Sequence, residues 1–124
     1  MLISSVIRRN MTSVKILTKP QVSELIKNAS IPYTLVDVRE QYEVDAGAIP
    51  SSKHIPLGNI SDFLNCPSTD FSKIYGFERP TSENLLVFYC RSGVRSQRAA
   101  EAAVSAGFKN VANYKGSWLD WSSQ

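Results

Sequence analysis

Leu85–Gly107 reads LLVFYCRSGVRSQRAAEAAVSAG and constrains the fold more than any other part of this chain. Leu85–Tyr89 is an unbroken apolar run, too short for a helix and without the polar alternation of a half-exposed strand. Such a run is a strand buried on both faces, as parallel sheets covered by helices require. Ser96–Gly107 follows with Ala99, Ala102, Ala103 and Ala106 at helical spacing, and Gly107 supplies the stop. A buried strand therefore runs through a short polar loop into a helix.

The rest of the chain repeats the alternation. Ser13–Leu17 is a strand candidate. Thr18, Pro20 and Gln21 carry the start chemistry of a helix whose apolar face is Val22, Leu25 and Ile26. Tyr33–Arg39 is an apolar run ending in charge, and Glu40–Gly47 is a short helix closed by its glycine. Ser52–Pro56 reads as a brief strand, and Asn59 and Ser61 open a helix through Phe63 and Leu64. Asn65–Asn84 is the most loop-like segment, with Ser68 and Thr69 able to cap a single helix. Asn110–Tyr114 is a last strand, and Gly116–Trp121 a closing helical turn. Strands alternating with helices imply an α/β fold: a parallel sheet with helices on both faces.

At 124 residues the chain suits one domain, expected over residues 13–124. The net charge of +3 is spread thinly, without the basic stripe and interleaved aromatics of a nucleic-acid surface. It implies at most a weak attraction for small anions. No apolar run approaches the ~20 residues of a membrane span. With two cysteines 24 residues apart and one histidine, neither a zinc site nor a disulfide scaffold is expected. Residues 1–19 hold four basic residues and no acid; Leu2, Ile3, Val6 and Ile7 share one helical face, with Arg8 and Arg9 following. Residues 1–12 thus read as either a short mitochondrial presequence or a frayed terminus, with a cytoplasmic protein the alternative; Met11 offers a second start.

Chemistry gathers where the buried strand meets the helix. Ligands of open parallel sheets collect beyond the carboxyl ends of the strands, and Cys90 lies at such an end. Successive amides of Cys90–Arg95 can converge on one point as a nest for an anion, with Gly93 free to take positive φ and Ser92 and Ser96 able to donate inward. The candidate anion is the Cys90 thiolate or what it carries. A free thiol titrates near ~8.5, and a helix N-terminus contributes up to about 2 kcal/mol, enough to bring it to about 7. Arg91 and Arg95 add to this, so Cys90 is expected to be nucleophilic. The alternative, a small buried apolar cysteine, fits poorly beside RSGVR. No histidine stands beside it, which disfavours acyl transfer. A thiolate in an anion nest suits transfer of a sulfur or phosphoryl group. Asp37 and Arg39 are supporting candidates: Asp37 either pairs with an arginine of the loop or backbone amides, or merely caps a strand end, and Arg39 is a candidate attractor of an anionic donor. His54, Cys66, Trp118 and Trp121 are expected to be structural, although Cys66 would be a resolving thiol if its loop folded over the site.

Three segments resemble the single-domain rhodanese family, and the resemblance covers nearly all of residues 15–121. LVDVREQYEVDAGAIPSSKHIP (Leu35–Pro56) is similar to its first signature, VFYCRSGVRS (Val87–Ser96) to its active-site loop, and YKGSWLDW (Tyr114–Trp121) to its C-terminal Gly…Trp element. The family's Gly-His-Ile-Pro reads Gly47-Ala48-Ile49-Pro50 here, and the following Gly-Ala is Ser51-Ser52. The resemblance implies a rhodanese-like sheet of about five parallel strands. It implies that Cys90 accepts sulfane sulfur from thiosulfate as a persulfide, wrapped by Arg91, Ser92, Gly93, Val94 and Arg95, and passes it to an acceptor. Cyanide, glutathione, another thiol or a thioredoxin-like protein would serve as acceptor, with no metal or organic cofactor. Two alternatives use the same fold: a non-enzymatic persulfide-carrying or binding module, and a dual-specificity-type phosphatase. The phosphatases place five residues between Cys and Arg; Cys90 and Arg95 enclose four, a tighter ring suited to a terminal sulfur rather than a tetrahedral phosphate.

Overall fold

A computed structural model describes residues 14–28 and 30–123 of the chain. The expectations for residues 1–12 lie outside the described residues. Five strands form one sheet: β1 (Val14–Leu17), β2 (Tyr33–Asp37), β3 (Lys53–His54), β4 (Leu85–Tyr89) and β5 (Val111–Tyr114). Their order is β1-β5-β4-β2-β3, and every neighbouring pair is parallel. The helices are α1 (Lys19–Asn28), α2 (Gln41–Asp45), α3 (Ile60–Asn65), α4 (Ser68–Tyr75), α5 (Val94–Ser105) and α6 (Ser117–Trp121).

The buried β4 run makes both faces of the core. Leu86 and Phe88 turn to a cluster with Phe63, Phe71 and Ala99 of α3, α4 and α5. Leu85, Val87 and Tyr89 turn to the opposite cluster, with Val22 of α1 and Trp118 of α6 packed there. Two apolar layers on one strand are the two-residue period of a pleat met by helices on both sides. In register, Asp37 stands beside Tyr89 on one side and His54 on the other. The ends of β2, β3 and β4 are thereby brought to one edge, with Cys90 one residue further.

Several local expectations are met by specific bonds. The Thr18 amide donates to Gln21 Oε1 at 2.8 Å, and the Gln21 amide to Thr18 Oγ1 at 3.4 Å, a capping box for α1. Glu40 and Glu43 make another at the start of α2.

Others are corrected. The strand expected over Ser52–Pro56 is only Lys53–His54, because β2 offers it a partner at Val36 and Asp37 alone. Pro67, not Ser68 or Thr69, stands at the N-cap of α4, and no side chain caps it. Nor is Asn65–Asn84 mostly loop: α4 covers two turns and buries Phe71 against Phe63, Tyr75 and Phe77. The buried face of α5 is Ser96, Ala99, Ala100 and Ala103, the i, i+3, i+4, i+7 set, while Ala102 and Ala106 are exposed. The departure at Ser51 has a backbone consequence: its φ is 70°, a left-handed conformation in which glycine is unstrained.

Candidate active site at the Cys90 loop

Cys90 lies between the end of β4 and the first turn of α5, 1% exposed. Its sulfur faces the loop that follows it. The Gly93 amide donates to Sγ at 3.1 Å, and Ser96 Oγ lies 3.3 Å from Sγ. Burial pushes the thiol upward, but the Ser96 hydroxyl and the amides of Ser96, Gly93 and Ser92 outweigh it, and the net direction is below the ordinary thiol. The side chain of Ser92 is exposed, so this residue contributes its amide rather than its hydroxyl.

Two features hold the loop in that shape. Gly93 has φ of 94°, and any Cβ there would collide with the Lys115 carbonyl oxygen. Asn113 of β5 donates from Nδ2 to the Gly93 carbonyl at 3.2 Å, fixing the residue whose amide meets the sulfur. The other side of Cys90 is gripped by the C-terminal segment. Ser117 Oγ accepts the Cys90 amide at 3.1 Å and donates to the Tyr114 carbonyl at 2.8 Å. The Trp118 amide donates to the Cys90 carbonyl at 2.9 Å, and the Leu119 amide to that of Arg91 at 3.1 Å. Ser117 takes the strained φ of 58° to do this.

The charged candidates divide. Arg39 is not free to meet an anion: Nε and Nη2 clasp Asp37, the latter at 2.7 Å, and Nη2 also donates to the Gly47 carbonyl at 2.8 Å. Asp37 therefore pairs with Arg39, two residues on, rather than with an arginine of the loop. The Arg39 guanidinium stacks 4.9 Å from the Trp118 ring, and that ring lies so close to Gly47 that a Cβ there would come within 2.8 Å of it. His54 Nε2 donates to the Arg39 carbonyl at 2.7 Å, a structural bond.

Arg95 turns to Glu43, with Nη1 to Oε1 at 2.8 Å and Nη2 to Oε2 at 3.0 Å. The Arg95 hydrogen bond holds the Glu43 carboxyl down at about 2. Arg91, by contrast, is exposed and has no ion pair among the described residues. It lines a cavity of about 250 Å³ with Arg39, Tyr42, Glu43, Ala46 and Trp118. Cys66 is buried in the apolar cluster that also holds Cys90, its Sγ donating to the Pro67 carbonyl at 3.6 Å.

Sequence reasoning about the loop did not find Ser117, Asn113 or Glu43 as partners of it. Each acts from a distant segment, and only the Gly…Trp element pointed toward Ser117.

A model of the rhodanese-like domain matches residues 18–124, and the chain belongs to that family. A Schizosaccharomyces pombe relative is 46% identical over 90 residues, which are 73% of this chain and 63% of that protein. The Saccharomyces cerevisiae mitochondrial thiosulfate sulfurtransferase RDL2 is 36% identical over 86% of this chain and 72% of its own. Human thiosulfate:glutathione sulfurtransferase is 34% identical over 82% of this chain and 88% of its own. Among solved structures, the human single-domain sulfurtransferase TSTD1 superposes with a TM-score of 0.80 at 30% identity, covering 87% of this chain and 95% of that one. The similarity of fold and sequence supports sulfurtransferase activity. No helix among the described residues is long and apolar enough to cross a membrane.

Proposed function

We propose that the protein is a thiosulfate sulfurtransferase working by double displacement through Cys90. The Cys90 thiolate attacks the outer sulfur of thiosulfate; a Cys90 S–S bond forms, the donor S–S bond breaks, and sulfite leaves with the electron pair. The terminal sulfur of the persulfide takes up the amides of the loop. An acceptor thiolate then attacks that sulfur, regenerating the Cys90 thiolate. Glutathione is the proposed small acceptor, from the activity by which the human and a yeast relative are named. A mitochondrial location is proposed from the name of the RDL2 relative.

The observation that carries this reading is the Gly93 amide 3.1 Å from Cys90 Sγ, backed by the Ser96 hydroxyl. Such donors favour an anion at sulfur over the neutral thiol. Of the loop arginines, Arg91 is assigned to steer the anionic donor. Arg95 is assigned to hold the loop through Glu43, which largely matches its charge. Ser92 and Val94 contribute backbone to the loop, and Asp37 and Arg39 brace Trp118 against it.

The direct test is intact mass after incubation with thiosulfate. One added sulfur atom, released by cyanide and absent from Cys90→Ser, is the expected result; an unmodified wild-type mass would exclude the mechanism. Arg91→Ala is expected to raise the thiosulfate KM about five- to tenfold with a smaller change in kcat, the effect of losing ~1 kcal/mol of anion binding. Steady-state kinetics over a thiosulfate series check this, and an unaltered KM removes Arg91 from the donor site.

A further inference from the structure

Apart from the Arg91 cavity, and sharing no lining residue with it, a surface carries large apolar side chains that stand in water. Ile16 is 53% exposed, Val94 63% and Leu119 48%. They come from β1, α5 and α6, yet they line two adjoining hollows of about 420 and 630 Å³ that share Ile16 and Lys115. The loop itself forms part of both walls, through Gly93 and Val94 in one and Ser92 in the other. Ser92 and Gly93, two and three residues along the chain from Cys90, join this surface to the loop.

The same surface carries positive charge. Arg98, Lys115 and Lys19 line the hollows, and the one acid there, Asp120, accepts the Tyr114 hydroxyl at 2.7 Å. Lys19 is partly spent on the carbonyls at the end of α6. Arg98 and Lys115 have no ion pair among the described residues.

Resting on the sulfurtransferase reading, we infer that this surface docks a thiol-bearing protein acceptor whose contact face combines apolar and acidic side chains. Apolar side chains contribute burial to such a contact, and complementary charge speeds the encounter. The same charge argues against two other occupants. A second copy would set Arg98 and Lys115 against their own counterparts, and residues 1–13 carry Arg8 and Arg9 and no acid. Once docked, the partner thiolate attacks the outer sulfur of the Cys90 persulfide. Its new S–S bond forms as the Cys90 S–S bond breaks, leaving a partner persulfide and the Cys90 thiolate.

The test compares sulfur transfer from the Cys90 persulfide to three probes. Two are synthetic peptides of equal length with one Leu and one Cys, flanked by Asp and Glu in the first and by Lys in the second. The third is β-mercaptoethanol, small and neutral. The wild-type chain is expected to favour the acidic peptide over the basic one by about tenfold at low salt, and to lose most of that preference at high salt. Arg98→Glu/Lys115→Glu abolishes the preference, and Ile16→Ser slows both peptides, while β-mercaptoethanol stays within about twofold in each variant. The control Lys27→Glu/Lys73→Glu, with the same net charge, keeps the preference. Equal use of the two peptides by the wild type, or an equal loss in the control, overturns the surface. A concentration-dependent dimer in sedimentation that Ile16→Ser disperses assigns it to a second copy and overturns it too. Transfer to β-mercaptoethanol without peptide discrimination overturns this inference alone, whereas no transfer to any thiol overturns the sulfurtransferase reading with it.

Discussion

The ionisation of the Cys90 thiol comes down to two opposed effects on one atom. Burial of Cys90 disfavours its charge, and hydrogen bonds from Ser96, Gly93 and Ser92 favour it by more. Hydrogen bonds to a charged group contribute about 1.5–3 kcal/mol, so removing one shifts the balance visibly. Ser96→Ala deletes the hydroxyl 3.3 Å from Sγ and leaves the loop backbone in place. A group whose folded pKa lies below its ordinary value is charged, and reactive, from that lower pH upward. The variant is therefore expected to move the midpoint of iodoacetamide alkylation upward by about one pH unit. Alkylation rates across pH check it; a coincident midpoint would mean the amides alone set the charge. The placement of Cys90 between strand and helix and the positive φ of Gly93 were legible at this scale, because a strand end, a helix start and a glycine are local features. Ser117 was not legible as a partner of the Cys90 amide. It meets Cys90 across 27 residues, and no local pattern marks a hydroxyl as the acceptor for a particular distant amide.

Between elements, the Glu43–Arg95 fork ties α2 to the first turn of α5. The sequence marked Arg95 as a cation of the loop but not its direction, since a side chain of that length reaches several partners and tertiary placement chooses among them. The same holds for Asp37, whose partner is Arg39 and not the loop. The fork predicts a pH signature. The Glu43 carboxyl is lowered from 4.5 to about 2, so its contribution is complete above the unfolded value of 4.5 and fades as pH falls toward 2. Both side chains are partly shielded, 13% and 32% exposed, and after solvent screening about 1 kcal/mol is a fair expectation. Glu43→Gln should therefore be less stable than wild type by about 1 kcal/mol at neutral pH, with the gap closing between pH 4.5 and 2. Urea titrations at several pH values measure it, and a gap independent of pH would assign the loss to packing instead of charge.

Over the whole molecule, the order of elements was legible because the buried β4 run and the alanine periodicity of α5 each admit one assignment. The segment from Asn65 to Asn84 was not. Phe71, Tyr75 and Phe77 make sense only once Phe63 of α3 is beside them, and ring contacts between elements leave no period in the chain. That aromatic cluster bears on stability more than on chemistry. Phe71 is fully buried, with ring centroids at 5.4 Å from Phe63, 4.6 Å from Tyr75 and 5.3 Å from Phe77. Phe71→Ala removes the ring these three pack against, and a buried Phe→Ala change costs about 3–5 kcal/mol. Domains of this size are stable by only about 5–15 kcal/mol, so the variant should stand near the limit of folding at physiological temperature. Phe71→Leu keeps most of the volume and is expected to lose less than half as much. The urea midpoint is expected to fall steeply for Ala and mildly for Leu, with the slope of the transition preserved. In the folded fraction, the pH midpoint of Cys90 alkylation should stay at the wild-type value, because the donors to its sulfur come from the loop and α5. A midpoint that moved with Phe71 would show that the α4 layer shapes the loop, and that the two halves of the fold are not separable in this way.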